Sequence, residues 1–577
     1  MFKQFLIPLF FFAALCCGLA QNTLDSLRDL VDEASEPRLK VDALNNLADA
    51  LYDYNLEESF RISGQALNES RITNYALGES RALLYQSRYY QMIGQPKTAL
   101  NLIRGSIQKA NQLNEVNLKA QALVQGGKIF RDIGLLDSAA QYYDLAESTQ
   151  KINSDRAGLW WIYSAKSKYY LLIGNQAEAL SYARLGYEMA KQEESIELIA
   201  YSWLDIGDCH RDKYDFVQAR ECYEKALEIN GKADWLITDY HESMGYLYFL
   251  EGDFEKAFDA LSQVMKTYEI YDGKYSIVTT MIKMGEILEE KGLYDVSLEY
   301  LYKALRISEQ AGYLASSADA YYELAWVNYR LKQWETALLD IRKAQVFYDS
   351  VKNELNIGGC LNVRGLIHMK KGNYDSSWAY HQQGLALRKK AGNSTAVSSS
   401  LFNIGDLLSL FNKDHEALAY YKQGLAMDET NGDRYGIGLY KNRIARIFIR
   451  AGDYKQAKEY LEASMSLAQQ TSALDLLREC YMDYSIILEK EGNTALALHH
   501  RKLYEALNDS LYSRSTAQSM ASYRTLYELD QKGQQIEILN KDKLIQQDQI
   551  RQRNLVLYWV ASIASALALL AFIFLLL

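Results

Sequence analysis

The side chains that most often carry out catalysis or bind metals occur here without the spacing that such chemistry requires. There is no His-Glu-x-x-His run, and no pair of histidines at metal-ligand spacing has a suitable third ligand. His499 and His500 are adjacent on a predicted helix, so their rings diverge. We therefore predict surface positions and no metal for the histidines, which are His210, His241, His368, His381, His415, His499 and His500.

The motifs of nucleophilic catalysis and phosphate binding are also missing. The sequence has no Gly-x-x-x-x-Gly-Lys-Ser/Thr loop, no Gly-x-Ser-x-Gly elbow and no Cys-x-x-Cys pair. We predict that Cys209, Cys222, Cys360 and Cys480 are free, buried thiols. The residues present are thus expected to form no enzyme and to hold no cofactor, and binding is the better prospect.

The composition indicates which partners and which fold to expect. The 577 residues carry a formal net charge of −10 and a pI near 5.5, whereas a general nucleic-acid binder has a basic surface. We therefore predict a protein or peptide partner and no nucleic acid. Only three prolines occur, Pro8, Pro37 and Pro96, so little interrupts long helices over the rest of the chain.

Small residues recur along the chain in two linked series. The first series has intervals of 38 to 40 residues, and the second lies 12 residues after it, with Phe60 as its one large member. Small residues on either side of a turn let two antiparallel helices approach closely. The first series is Ala48, Ser87, Gly127, Ser167, Gly207, Gly245, Gly285, Ala325, Gly365, Gly405, Ala445 and Ser485. The second series is Phe60, Ala99, Ala139, Ala179, Ala219, Ala257, Ser297, Ala337, Ser377, Ala417, Ala457 and Ala497.

A turn separates the two members of each pair. Several turns contain glycine followed two places later by an aromatic residue, as in Gly252-Asp253-Phe254 and Gly452-Asp453-Tyr454. Glycine tolerates the left-handed backbone that ends a helix, and an amphipathic stretch follows the turn. The pattern predicts a solenoid of about twelve helix pairs over residues 23–508.

This pattern resembles the tetratricopeptide repeat (TPR) over roughly residues 40 to 510. The period is longer than the family's usual 34 residues, and the proline that often closes that repeat is missing. The sequence is most similar to the longer-helix members, of the kinesin-light-chain or bacterial signalling type. The resemblance implies an all-α, TPR-type α-α superhelical solenoid, and the longer period leaves its superhelical pitch open.

The two ends of the chain suggest export and an anchor. A positive end, an apolar run from Phe5 to Leu15 and a small-x-small site predict a signal peptide at residues 1–20. Lipidation at Cys16 or Cys17 is the alternative. Residues 555–577 carry no charge and are long enough for one transmembrane helix. Residues 509–553 predict a polar stalk helix or a coiled coil, the latter allowing a homodimer.

The places one and four residues after the first-series position are expected to face the concave side of such a solenoid. They carry basic residues in the second to fifth units, then aromatic and acidic ones. This order predicts a groove for an acidic or C-terminal peptide segment with apolar anchors. The candidate groove residues are Arg88, Lys128, Arg131, Lys168, Arg211, Tyr246, Phe249, Glu286, Glu289, Trp326 and Tyr329.

The same side chains could instead have structural roles. The aromatic residues could fill the core between repeats, and the basic residues could form a solvated face. The lysine and asparagine clamp of chaperone-tail-binding members is not supported, because Leu84 and Arg88 stand at the matching places in the second unit.

The order of segments resembles the sensory half of bacterial membrane signalling proteins. It implies an extracytoplasmic protein- or peptide-binding module that passes a signal to a C-terminal output domain absent from this sequence. The predicted location is the bacterial inner (cytoplasmic) membrane, single-pass, with the solenoid in the periplasm. The alternatives are a periplasmic scaffold for protein assembly, a truncated sensor histidine kinase, and a cytoplasmic tail-anchored adaptor, which Arg551 and Arg553 before the span would fit.

Overall fold

A computed structural model describes residues 24–511, except 154, 231, 232 and 472. Residues 24–33 are helical, and 24 longer helices follow as twelve consecutive pairs, here called repeats 1 to 12. The first helices of the repeats are α1 (Pro37–Leu51), α3 (Ala76–Met92), α5 (Val116–Asp132), α7 (Arg156–Leu172), α9 (Ile196–Asp212), α11 (Asp234–Leu250), α13 (Lys274–Glu290), α15 (Leu314–Arg330), α17 (Glu354–Lys370), α19 (Ser394–Leu410), α21 (Arg434–Ala451) and α23 (Leu474–Lys490). The second helices are α2 (Leu56–Ile72), α4 (Pro96–Leu113), α6 (Leu136–Lys151), α8 (Gln176–Gln192), α10 (Phe216–Asn230), α12 (Phe254–Ile270), α14 (Tyr294–Ala311), α16 (Trp334–Val351), α18 (Tyr374–Ala391), α20 (Asp414–Asn431), α22 (Tyr454–Gln470) and α24 (Thr494–Leu511).

The helices form two layers. Each first helix packs on the second helix of its own repeat, and that second helix packs on the next first helix. Many neighbouring first helices also contact one another, so the first helices form the inner layer of the solenoid. We call the face of this inner layer that points away from the second helices the concave face. The all-α solenoid predicted from the repeat pattern is confirmed over the described residues.

The helices of a pair meet at the small residues. Every member of the first series is buried, and so is every member of the second series from Ala99 onwards. Where the first series has glycine, a bulky side chain 16 residues later fills the space; examples are Gly127–Tyr143, Gly207–Tyr223, Gly285–Leu301, Gly365–His381 and Gly405–Tyr421. At two of the three alanines an isoleucine or leucine stands there, in the pairs Ala325–Ile341 and Ala445–Leu461, whereas Ala48 is followed by Gly64. The volumes of the two partners are thus matched in these glycine and alanine pairs of the central repeats.

Distant repeats meet along one edge of the solenoid. Backbone or side-chain groups in the turn inside one repeat bond to the loop between two repeats much further along the chain. We call this row of contacts the seam. Its members are Asn55 Nδ2 to Tyr271 O (3.1 Å), Leu314 N to Ile93 O (3.0 Å), Asn353 Nδ2 to Asp132 O (2.9 Å), Asn393 Nδ2 to Leu172 O (2.7 Å), and the Tyr214 hydroxyl to the Asp433 carboxylate.

The seam shows the superhelical pitch that the sequence left open. Asn353 and its partner are 221 residues apart, which is about five and a half repeats per superhelical turn. Asn353 has a double role, because its Oδ1 accepts from Asn356 N at the start of α17 while its Nδ2 crosses the seam. Gly134 fits the same contact, since a Cβ there would lie 2.8 Å from Asn353 Oδ1. Successive superhelical turns therefore touch rather than leave an open gap.

The predicted membrane location is corrected by the structure. The longest helices of the described repeats have 18 residues, about 27 Å at 1.5 Å per residue, and one face of each meets solvent with charged or polar groups. No helix within the described part of the chain is long and apolar enough to cross a bilayer. We therefore withdraw the prediction of a single-pass inner-membrane protein with a periplasmic solenoid, together with the predicted signal peptide and membrane anchor. Residues 1–20, 512–553 and 555–577, on which these predictions rested, lie outside the described residues.

The volume match predicts the effect of enlarging a contact glycine. In the Gly405→Ala variant the added methyl would overlap the Tyr421 ring, so we expect a loss of about 1–3 kcal/mol in the free energy of unfolding. Adding Tyr421→Leu recreates the alanine–leucine pair of repeat 11, so the double variant should lose less than the sum of the two single variants. Urea denaturation followed by circular dichroism measures all three.

Gly64→Ala in α2 is the matched control. There the nearest atom to an added Cβ is Gln86 Nε2 at 3.6 Å, so alanine should be neutral or stabilising by about 1 kcal/mol. Strict additivity of the two substitutions at repeat 10 would contradict the volume match.

The seam predicts a change in shape without a change in helix content. In a double Asn353→Asp and Asn393→Asp variant, the carboxylates still cap α17 and α19 but no longer donate across the seam. We expect a larger radius of gyration in small-angle X-ray scattering, unchanged helical circular dichroism, and a loss of about 1 kcal/mol per hydrogen bond. Asn493→Asp, at a helix start outside the seam, is the control. Scattering curves that superimpose on the wild type would contradict the seam.

Candidate binding site on the concave face

The structure places the predicted groove residues on seven consecutive first helices from α3 to α15. Arg88 is on α3, Lys128 and Arg131 are on α5, Lys168 is on α7, Arg211 is on α9, Tyr246 and Phe249 are on α11, Glu286 and Glu289 are on α13, and Trp326 and Tyr329 are on α15. These positions follow from the register of the repeat. Whether these residues bind a ligand stays a prediction.

Most of the predicted basic residues already have carboxylate partners. Arg88 lies 2.7 Å from Asp49, and Lys168 lies 3.3 Å from Asp205. Two others pair with acids on their own helices, in the pairs Arg131–Asp132 (2.7 Å) and Arg211–Asp208 (2.6 Å). Much of the positive charge predicted for the groove is therefore balanced within the protein.

Lys128 differs from these four. No carboxylate of the described chain lies within ion-pair distance of its Nζ. Burial, together with the nearby cations Arg88, Arg131 and Lys168, lowers its pKa to about 7. The positive charge of Lys128 is thus disfavoured in the protein alone, and a nearby anion would stabilise it.

The predicted aromatic residues are of two kinds, one exposed to solvent and the others packed against neighbouring helices. Tyr246 is exposed and lies under the Arg211 guanidinium, 4.6 Å from its ring centre. Phe249 and Tyr329 instead pack against the first residues of the neighbouring second helices, Phe254 and Trp334. For these two, the alternative role in the core between helices is the one the packing supports.

The two predicted glutamates belong to an acidic stretch of the concave face. Glu289 pairs with Arg330 at 2.7 Å, yet burial raises its pKa to about 7. Burial also raises the pKa of Glu286, and Glu290 adds to that effect. This stretch would repel an acidic ligand while the carboxylates are ionised.

A pocket that sequence reasoning missed lies between four successive first helices, α15, α17, α19 and α21. Its volume is about 370 Å³, and Trp326 is the one predicted residue that lines it. Its aromatic wall is formed by Tyr322, Trp326, Phe402, Tyr435 and Tyr440, with the rings of Phe402 and Tyr440 5.4 Å apart. We call it the Arg388 pocket, because Arg388 is the cation among its lining residues.

Arg388 reaches this pocket from a second helix. It lies on α18 and passes over two glycines in the middle of α17: a Cβ on Gly358 would lie 2.8 Å from Arg388 Cγ, and one on Gly359 would lie 3.5 Å from Nη2. Its Nη1 donates to Ala396 O and to Ser400 Oγ, both at 3.0 Å. Its buried Nε has no hydrogen-bond partner within the described chain, and no described carboxylate forms an ion pair with it. Burial accordingly lowers its pKa.

A buried polar network holds the floor of the pocket. Ser400 receives hydrogen bonds from Arg388 and from Asn362 Nδ2, and Asn362 Oδ1 lies 3.1 Å from His381 Nδ1. His381 is fully buried beside Gly365, so its predicted surface position is wrong. Because Asn362 already donates to Ser400, its oxygen accepts from the His381 Nδ1–H, which fixes the neutral tautomer. Burial and the Arg388 charge lower the His381 pKa to about 4.

One signal in the sequence could have indicated this pocket. Gly358-Gly359 stands in the middle of a predicted helix, where each glycine costs about 1 kcal/mol relative to alanine. Such a pair implies that another group passes close to the backbone. The candidate groove residues were chosen only from places one and four residues after each first-series position. All of these places lie on first helices, so the choice could not include Arg388, which lies on a second helix.

The four cysteines of the described repeats are the remaining side chains for which the sequence made a prediction. Cys209, Cys222, Cys360 and Cys480 are free and buried, as predicted. Burial raises the pKa of each thiol, which makes these cysteines poor nucleophiles.

The fold and its concave face define a helical-repeat solenoid, the class of protein that presents an extended concave surface. A family profile described as tetratricopeptide repeat matches residues 276–344 and 360–430, and a second profile with that description matches residues 200–232 and 440–471. The chain therefore contains tetratricopeptide repeats, and the predicted resemblance is confirmed.

Known proteins similar to this chain include regulators. The Transcriptional activator NprA of Geobacillus stearothermophilus is 23% identical over 282 residues, covering 49% of this chain and 61% of that protein. The chain thus spans about three fifths of the length of this relative. Among solved structures, a Rap protein complexed with competence and sporulation factor is 14% identical, with a TM-score of 0.44, covering 62% of this chain and 99% of that one. Aspartyl phosphate phosphatase F from Bacillus subtilis is 16% identical, with a TM-score of 0.41, covering 61% and 94%.

The buried histidine predicts a pH dependence. His381 binds a proton less readily in the folded protein than in the unfolded chain, so its contribution to stability is present above pH 6.5 and is lost as the pH falls towards 4. His381→Leu, which gives the glycine–leucine pair seen in repeat 7, should reduce the loss of unfolding free energy between pH 7 and pH 5 by about 2 kcal/mol. Urea denaturation at the two pH values measures it. His415→Leu, at an exposed position, should keep the wild-type loss; an equal loss in both variants would contradict the neutral, buried assignment.

Proposed function

We propose that this protein is a regulatory binding module that takes an extended peptide, or an extended segment of a partner protein, along its concave face. The proposal rests on the inner layer of first helices, which forms a continuous surface over successive repeats. Extended binding surfaces of this kind suit an extended ligand, because successive repeats can each contact a few residues of it. The predicted groove residues from Arg88 to Tyr329 belong to the proposed face.

The observation that carries the proposal is the Arg388 pocket. Its volume of about 370 Å³ lies within the range of sites that bind small groups or side chains. It combines aromatic walls with a few polar groups, the arrangement that fixes both affinity and orientation of a ligand. A core-filling role would leave no such space, and a purely solvated face would not bury a cation.

The regulatory part of the proposal draws support from the relative described as a transcriptional activator. That activity is a property of the relative, and this chain spans only part of its length. We propose for this chain the binding step alone.

Selection from a random dodecapeptide library on the full-length protein tests the binding proposal. Peptides enriched by the wild type are synthesised with a fluorescent label, and their dissociation constants are measured by fluorescence anisotropy. In Ser399→Trp, where an exposed serine on the pocket wall becomes large, we expect affinity to fall at least about tenfold because the indole occupies the pocket.

Ser148→Trp is the matched control, because Ser148 is likewise an exposed serine whose hydroxyl donates back to its own helix, but it lies on second helix α6 outside the pocket. Its affinity should stay within about twofold of wild type. No enrichment above background, or equal losses in the two variants, would overturn the proposed function.

A further inference from the structure

Arg388 is a cation that the described protein leaves without a counter-charge. Its partners are a backbone carbonyl and a serine hydroxyl, both neutral and both bound by Nη1. The acidic residues of the same pocket, Asp428 and Asp433, are not among the groups that raise its pKa. A buried charge without an ionic partner is destabilising, and a carboxylate is the partner whose geometry fits a guanidinium best.

The unused side of the guanidinium faces a suitable space. Nε has no partner among the described residues, and Nη2 lies over Gly359, where the hydroxyl of Tyr322 is also close. A Cβ on Gly359 would meet both Nη2 and the Tyr322 oxygen at 3.5 Å, so the missing side chain keeps this space open. Arginine presents its donors in a planar fork, and Tyr322 adds a hydroxyl donor beside it.

The rest of the pocket indicates what must accompany the anionic group. Trp326, Phe402 and Tyr440 supply apolar surface next to Arg388. Asp428 is buried with an unpartnered Oδ1, and burial raises its pKa to about 7, so a second anion is unfavourable near it. A ligand with a carboxylate at the Arg388 end and an aliphatic or aromatic side chain beside it satisfies both conditions.

We propose that the Arg388 pocket binds a peptide carboxylate that adjoins an apolar side chain. This inference rests on the proposed function and adds the chemistry of the anchor to it. The carboxylate has two sources, the C-terminus of a peptide or an Asp or Glu side chain within it. Both present the same pair of oxygens to the guanidinium.

Three synthetic probes separate these sources: N-acetyl-Leu-Phe with a free C-terminus, the same dipeptide as its C-terminal amide, and N-acetyl-Asp-Phe-amide. Dissociation constants are measured by ligand-detected NMR titration against the full-length protein. We expect the free acid, the aspartyl probe or both to bind at least about tenfold more tightly than the neutral amide. Tighter binding of the free acid assigns the anchor to the C-terminus, and tighter binding of the aspartyl probe assigns it to a side chain.

Two substitutions of Arg388 test its role directly. Arg388→Met should abolish the preference for the carboxylate, while Arg388→Lys keeps the charge without the fork and should retain only part of it. The unliganded Arg388→Met protein should melt at the same temperature as wild type or higher, since a buried charge without a counter-charge has been removed. A structural arginine would give the opposite result, a lower melting temperature with the carboxylate preference retained.

Arg364→Met is the matched control. Arg364 also lies half-buried, has an unpartnered Nε and forms no ion pair with the described residues, but it stacks on Tyr380 and lies outside the pocket. It should keep the wild-type preference. Equal binding of all three probes, a preference that survives in both Arg388 variants, or no probe binding while library peptides bind would overturn the carboxylate anchor and leave the proposed function standing. A separate result, the absence of any library peptide that binds the wild-type protein, would overturn the proposed function.

Discussion

The contact between a small residue on a first helix and the side chain 16 residues later fixes how the two helices of most repeats pack. The partners compensate each other in volume, with glycine opposite tyrosine at Gly405 and alanine opposite leucine at Ala445. The two helices therefore keep a similar close approach in successive repeats although the side chains differ. Since each repeat is placed relative to the last by this packing, small rotations add up along the chain, and turns 221 residues apart meet in the seam.

The sequence was sufficient to predict the helix pairs because they depend on local information. Small residues 12 apart, a turn between them and an amphipathic second helix are all contained within one 40-residue unit. The seam depends on the accumulated rotation of about five and a half units, which no single repeat encodes. Its asparagines, such as Asn353 and Asn393, are indistinguishable in sequence from ordinary helix caps, because they also serve as caps.

The candidate site was predictable only in part for a related reason. The register of the repeat places Arg88 or Trp326 on a first helix, but it does not say whether an arginine already has an acidic partner. Arg88 has one in Asp49, a residue of the preceding repeat, so the pairing depends on the packing between repeats. Arg388 has none among the described residues, although it lies on a second helix that the register assigns to the outer layer. The sequence feature that indicates the pocket is a departure from the repeat pattern, namely the glycine pair in α17.

The seam and the Arg388 pocket involve the same helices, and this has a consequence for binding. The pocket is walled by α15, α17, α19 and α21, and each of these helices begins at a loop that the seam ties to an earlier superhelical turn. The helix starts are thus fixed before any ligand arrives, so binding need not include the entropic cost of ordering them. A ligand carboxylate would then be stabilised by a preformed cation whose burial already destabilises the empty protein. Binding at Arg388 and folding of this region should accordingly be linked, because the ligand removes an unfavourable electrostatic interaction that the folded chain itself contains.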